Sequence, residues 1–206
     1  MELFEKKLTS KQIFDGKVVK LFVDTVELPN GETAIREIVR HPGAVCVVPV
    51  TDNGEVIMVK QFRYPFEEVM LEIPAGKLEP GEDPLEAVKR ELEEESGAVA
   101  GKIQHIGQLY TTVAIFDEKI QIYLATDLTF VNAHPDQDEF LETTKIPLKT
   151  LVQMVMNGEI PDAKTQIAIL KADKILSQKW IKIWIFIHFV KIYSKALDKL
   201  FLSAII

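Results

Sequence analysis

A chain of 206 residues that is 47 % hydrophobic and 27 % charged can bury one sizeable core and still present a soluble surface. Its formal charge of −7 argues against generic nucleic-acid binding, which draws its affinity from Lys and Arg on phosphates. The lone Cys46 excludes an internal disulfide, and its place in the apolar run Ala44–Val48 reads as a buried strand residue in a reducing, cytoplasmic setting.

The opening Met1–Lys7 carries Glu2 and Glu5 where a secretory leader needs basic residues, so export is not expected. Lys17–Leu28 and Thr33–Arg40 alternate in the manner of strands around the turn residues Pro29-Asn30-Gly31, which predicts a β-hairpin. After His41-Pro42-Gly43, the apolar run Ala44–Val50 reads as a strand buried on both faces, followed past the turn Thr51–Gly54 by a strand over Glu55–Phe62. Between Asp83 and Ser96 the period changes: Leu85, Val88 and Leu92 mark one face of a helix. Asp83 is a natural N-cap, Pro84 suits the first helical position, Glu86 completes a capping box, and Gly97 suits a left-handed C-cap. Strands over Ile103–Thr112 and Lys119–Leu128 follow. Helices are then expected over Leu148–Met156, ended by Asn157-Gly158, and over Ala163–Ile175, capped by Asp162. No internal repeat is visible.

The predicted helix over Asp83–Ser96 is peculiar in its charge. At about 3.6 residues per turn, Glu91 and Glu95 fall on one side, at the border of the apolar stripe, with Glu94 one step further round. Glu91, Glu93, Glu94 and Glu95 repel one another, and Arg90 to Glu94 is one compensating contact. A cation belongs there. Oxygen ligands at helical spacing suit Mg²⁺, with Mn²⁺ as its substitute. A solvated, exposed helix is the plain alternative for a Glu-rich run. The wider pattern tips the balance: Gly76, five residues, Glu82, seven residues, Arg90-Glu91-Leu92, one residue, Glu94-Glu95, one residue, Gly97. Seven fixed identities at about 7 % usage each arise by chance in roughly one chain per million.

This spacing resembles the box of the Nudix hydrolase superfamily, with Ala98 smaller than the aliphatic residue usual after the last Gly. The resemblance implies an α/β fold, an α/β/α sandwich around a mixed β-sheet, here preceded by a small β-rich N-terminal region. It implies Glu91 and Glu95 as principal metal ligands, Glu94 as a supporting ligand, and the Ala75 carbonyl as a backbone ligand. Arg90 would hold the glutamates in place, and Glu82 would stabilise the loop. The segments Val59–Arg63, Leu71–Glu79 and Asp162–Thr165 are similar to those of bacterial ADP-ribose pyrophosphatases. Members of that group hydrolyse a pyrophosphate linkage, ADP-ribose yielding AMP and ribose 5-phosphate. They exchange an N-terminal strand region across a homodimer. On that pattern Arg63 would reach a phosphate or ribose, and Arg36 would meet adenine or phosphate. The general base would come from the acidic segment Pro135–Glu142, with Glu139 the first choice and Asp138 the second.

The implied division is an N-terminal dimerisation region over 1–42, a hydrolase domain over 43–170 and a tail over 171–206. Two departures stand out. Val113 occupies the position, sixteen beyond Gly97, where ADP-ribose hydrolases carry Pro, so another nucleoside diphosphate sugar is a candidate substrate. The tail holds seven Lys and two Asp, which leaves −12 on the first 170 residues, and its run Trp180–Val190 is too short for a membrane span. Helical packing across a dimer is the first reading of that run, with peripheral membrane contact or an altered reading frame behind it. Two alternatives stand beside this reading: a non-catalytic nucleotide-sensing domain, against which the full set Glu91, Glu94 and Glu95 speaks, and hydrolysis of oxidised nucleoside triphosphates, against which the β-rich N-terminal region and Ile73-Pro74-Ala75-Gly76 speak.

Overall fold

The computed structural model describes residues 3–135 and 140–178. Strands β1 (Lys6–Asp15), β2 (Lys20–Glu27) and β3 (Thr33–Arg40) form an antiparallel N-terminal sheet. The β2–β3 hairpin is the one expected from its alternation. Gly31 takes φ 85° in the connecting turn, a conformation that favours glycine. β1 was not foreseen: its ten residues are all exposed, so no alternation of burial marks it.

Next come β4 (Ala44–Pro49), β5 (Glu55–Arg63), β6 (Glu68–Glu72), β7 (Ala75–Lys77), helix α1 (Pro84–Ser96), β8 (Ala98–Tyr110), β9 (Lys119–Phe130), β10 (Leu141–Pro147) and helix α2 (Leu148–Met156). A third helix, α3, spans 163–178. The order β7-β4-β9-β8 makes a mixed sheet, because β4 runs parallel to β9 and antiparallel to β7. The order β10-β5-β6 makes a second, antiparallel sheet.

The strand period of two explains the layers. All six residues of β4 are buried. Cys46 and Val48 join Ile122 and Leu124 against Leu151 and Val155 of α2 and Ala168, Ile169 and Ala172 of α3. Val45 and Val47, facing the other way, join Tyr123 and Ala125 against Ala87, Val88 and Leu92 of α1. Helices thus cover both faces of a mixed sheet, the α/β/α arrangement expected from sequence. Burial pushes the Cys46 thiol up to about 12, which makes it inert at neutral pH.

The caps are those the sequence announced. Asp83 accepts from the N–H groups of Leu85 and Glu86, and Gly97 closes α1 at φ 66°. Glu86 turns to Lys89 at 2.7 Å, so the reciprocal half of the expected capping box is not made with this geometry. Leu85 stays half-exposed in the first turn, and Ala87 takes the place on the buried stripe that was expected of it. Asp162 caps α3 by accepting from the Thr165 N–H at 3.0 Å. The helix runs through 170–171, where the tail was drawn from sequence, and Ala172, Ile175 and Leu176 pack on the core. The apolar run Trp180–Val190 lies outside the described residues. Among the described residues no helix is long and apolar enough to cross a membrane.

Candidate active site

The buried stripe of α1 contains two carboxylates where hydrophobic residues would ordinarily sit. Glu91 and Glu95 follow Ala87, Val88 and Leu92 onto the inner face and are nearly as buried as they are. Burying ionised carboxylates is costly without compensation, so their surroundings are informative. The Glu95 carboxylate accepts from the Ala75 N–H at 3.0 Å. The Glu91 carboxyl group lies against Gly76, so close that a Cβ there would fall 1.8 Å from its Cδ. Gly76 is required by this approach and not by its dihedrals. The first residue of the sequence pattern is thereby given a physical reason.

Arg90 gathers the remaining acids. Its Nε and Nη2 donate to the two oxygens of Glu82 at 2.9 and 3.1 Å, and its Nη1 donates to Glu94 at 2.9 Å. Nη1 is also 2.9 Å from Glu91. One guanidinium therefore meets three carboxylates, two more than helical spacing alone suggested. The Glu82 hydrogen bonds, with the Glu91 and Glu94 charges behind them, hold the Arg90 proton far above its ordinary affinity, against the opposing effect of burial. Glu82, held well below the usual carboxylate range first by Arg90 and then by the Glu79 N–H, pins the loop ahead of the helix.

Among the described residues, no three acid, His or Cys side chains form a ready-made metal cage. The donor set nevertheless fits a hard divalent cation. Two carboxylates sit against a backbone stretch without side-chain bulk, and Mg²⁺ completes its shell with waters and substrate oxygens instead of a full protein cage.

A second charged cluster lies upstream in the same chain segment. Glu72, 2 % exposed, accepts from Arg63 Nε and Nη2 at 2.6 and 2.7 Å and from Lys164 Nζ. Lys164 also meets Asp162 at 3.0 Å. Arg63 is within electrostatic reach of Glu95. Sequence reading singled out Arg63 but not the buried pairs around it. The signal available was a Glu and a Lys inside the two segments Leu71–Glu79 and Asp162–Thr165 already noted as similar to one group of enzymes.

The structure brings Ala75, Arg90, Glu91, Glu94 and Glu95 together and places Arg63 beside them. Arg36 lies elsewhere, on β3, where it is paired with Glu5 at 2.6 and 2.9 Å. Glu139 and Asp138 lie outside the described residues. On the near side the His134 N–H donates to the Glu94 carbonyl at 3.1 Å, and on the far side Leu141 pairs with Gln61 of β5. Val113 is exposed in a turn closed by the Ile115 and Phe116 N–H groups on the Thr112 carbonyl. That turn is tied to β3: Val39 donates to Ile115, Asp117 returns a bond to Val39, and the Asp117 carboxylate binds Arg40 and the His41 N–H.

Comparison with known proteins gives two consecutive family matches. The NUDIX domain model matches residues 40–165, and the nucleoside diphosphate sugar hydrolase N-terminal domain model matches residues 5–39. An ADP-ribose pyrophosphatase of Bacillus subtilis is 48 % identical over 169 residues, covering 81 % of this chain and 91 % of its own. A methanol dehydrogenase activator of Bacillus methanolicus is 46 % identical over 171 residues, covering 82 % of this chain and 92 % of its own. A crystal structure of an ADP compounds hydrolase superposes with a TM-score of 0.76 at 23 % identity, over 85 % of this chain and 95 % of the other.

Proposed function

Because the chain belongs to the Nudix family and is a Nudix hydrolase, we propose that it cleaves the pyrophosphate of ADP-ribose, giving AMP and ribose 5-phosphate, with Mg²⁺ or, in its place, Mn²⁺. The observation that carries the reading is the pair of buried carboxylates, Glu91 and Glu95, held against Gly76 and Ala75 on a helix with more acid than base. The choice of substrate is supported by the relative named ADP-ribose pyrophosphatase at 48 % identity.

Glu91, Glu95 and the Ala75 carbonyl would hold the metal, with Glu94 in support. When bound, the metal lowers the pKa of water and draws charge off the phosphates. Arg90 keeps Glu82, Glu91 and Glu94 in register by fixed hydrogen bonds. Glu139 takes the proton of the attacking water, Arg63 meets the diphosphate, and Arg36 meets the adenosine or its phosphate after leaving Glu5. The products, two phosphate monoesters, follow from attack by water on one phosphorus with the other phosphate departing.

A homodimer formed through the N-terminal sheet belongs to the same reading. It is supported by the ten exposed residues of β1 and by Leu8, Ile13, Phe14 and Ile35, each more than 40 % exposed on that sheet. A long unpaired edge with apolar side chains is a surface that natural proteins cover. Domains over 1–42 and 43–170, and a cytoplasmic site of action, complete the proposal.

The test is release of AMP and ribose 5-phosphate from ADP-ribose with Mg²⁺ by the parent and by Glu95→Gln, with ADP-glucose and nucleoside triphosphates alongside. Metal-dependent release lost in the variant is expected. The second reading, favoured by the exposed Val113 turn, is another nucleoside diphosphate sugar. Cleavage of ADP-glucose without cleavage of ADP-ribose would select it, and binding of ADP-ribose without cleavage of any compound would return the sensor reading.

A further inference from the structure

We propose that Glu72, braced by Lys164, is the positioning residue that aims Arg63 at the substrate diphosphate; this rests on the reading above that Arg63 meets that group. A guanidinium has two bidentate edges. Arg63 spends its side edge, Nε with one Nη2 hydrogen, on both oxygens of Glu72 at 2.6 and 2.7 Å. The end edge, Nη1 with the other Nη2 hydrogen, is left for a second anion, and the side chain is 38 % exposed. Arg63 therefore accepts a phosphate without releasing Glu72. Its rotamer is fixed before substrate arrives, which removes a cost of ordering from the binding step.

The aim is only as good as the fixity of Glu72, and five further contacts supply it. Lys164 Nζ binds the Glu72 Oε2 and, at 3.0 Å, Asp162 Oδ2. Asp162 is in turn held by the Thr165 N–H at 3.0 Å and by the Thr165 hydroxyl at 2.5 Å. The same hydroxyl oxygen accepts from the Ile73 N–H at 3.1 Å, which closes a ring back to the residue after Glu72. The chain then continues through Pro74, whose carbonyl accepts from Val47 N–H at 3.0 Å, to Ala75, whose N–H reaches Glu95. The start of α3, the Arg63 guanidinium and the acid helix are thus set in one register. Lys164 has a second task. When a phosphate draws on the Arg63 charge, Glu72 remains paired, so no buried carboxylate is left uncompensated.

A double-mutant cycle tests this on the full chain, with the nucleoside diphosphate sugar that the parent cleaves fastest. Arg63→Met is expected to raise KM about tenfold, the loss of one charge-assisted phosphate contact. Glu72→Gln is expected to raise KM about fivefold with kcat within about twofold, and to add less than about twofold to Arg63→Met, since both act through one contact. Lys164→Met is expected to raise KM by a smaller factor that Lys164→Arg restores. Circular dichroism melts accompany each variant, and should Glu72→Gln not fold, the cycle is run with Lys164→Met. An unchanged KM in Glu72→Gln, or a KM effect fully additive with Arg63→Met, overturns the proposal while leaving the Arg63 contact standing. An unchanged KM in Arg63→Met overturns the Arg63 contact itself and the proposal with it.

Discussion

Two networks of charge are linked where the chain runs from Glu72 to Ala75, and they are built on opposite principles. Around α1, four carboxylates, Glu82, Glu91, Glu94 and Glu95, draw on the Arg90 guanidinium and on the peptide N–H groups of Ala75 and Glu79. Around Glu72, two acids and two bases, Glu72 and Asp162 with Arg63 and Lys164, neutralise each other. The balanced network compensates its own charge and holds Arg63 in place, with the end edge of that guanidinium kept for substrate on the reading above. The unbalanced one holds more acid than base, and on the reading above a divalent cation makes up the difference. The contrast separates residues that hold a site from residues that operate it, and it can be attacked from either side.

The largest effect is expected on the unbalanced side. On the proposed function, Glu95→Gln removes one oxygen ligand while leaving packing volume intact. Loss of several kcal/mol of transition-state stabilisation would lower kcat by about 10²–10³-fold. The metal-free melting temperature should hold or rise, because one of four repelling acids is gone. A fall in stability equal to the fall in activity would contradict the distinction. Gly76→Ala reaches the other buried carboxylate, Glu91, from the backbone side. Its Cβ would collide with the Glu91 carboxyl group, 1.8 Å from Cδ, so the carboxylate must move. Activity should drop about 10²-fold, in keeping with the sensitivity of catalysis to an ångström of misplacement.

Arg90→Lys comes next. Lysine keeps the charge but loses the fork that spans Glu82, Glu94 and Glu91 at 2.9–3.1 Å. A residue that orients ligands typically contributes 10–100-fold, so about tenfold in kcat is expected, with metal affinity falling alongside it in a Mn²⁺ titration. A variant with parental metal affinity would show that Arg90 holds only the loop.

How much of this was legible depended on whether a residue's signal was local. The helix was readable end to end, since Asp83, Pro84 and Gly97 act within one turn of their own positions. The β4 segment was readable as a strand buried on both faces from its continuous apolar run, while the α/β/α layering came from the family resemblance. Spacing against Val88 and Leu92 put Glu91 and Glu95 at the border of the apolar stripe, and the structure takes them further, onto its buried face. What stayed hidden was contact between distant segments. Glu72 and Lys164 stand 92 residues apart, and no periodicity joins them. The contact of the Val113 turn with β3 is equally non-local, running from Arg40 to Asp117 across 77 residues. β1 was missed for a different reason: with both faces exposed, it carries no burial pattern to read.

The smallest effect tests the balanced network by pH. Burial pushes the Glu72 carboxyl up, but the Arg63 hydrogen bonds and the Lys164 charge outweigh it, so the group is held below its ordinary 4.5. A carboxylate depressed on folding stabilises the native state above its unfolded pKa, and that contribution is lost as pH falls through the folded value. The melting temperature of the parent should therefore decline below about pH 4.5, as the unfolded chain begins to bind a proton that the folded one refuses. Glu72→Gln removes that proton from the linkage, so its decline should be shallower over the same window, even though the variant starts from a lower melting temperature at pH 7. Parallel curves would mean that Glu72 titrates alike in both states. The balanced network would then be an ordinary surface pairing, and its difference from the acid helix would be one of degree.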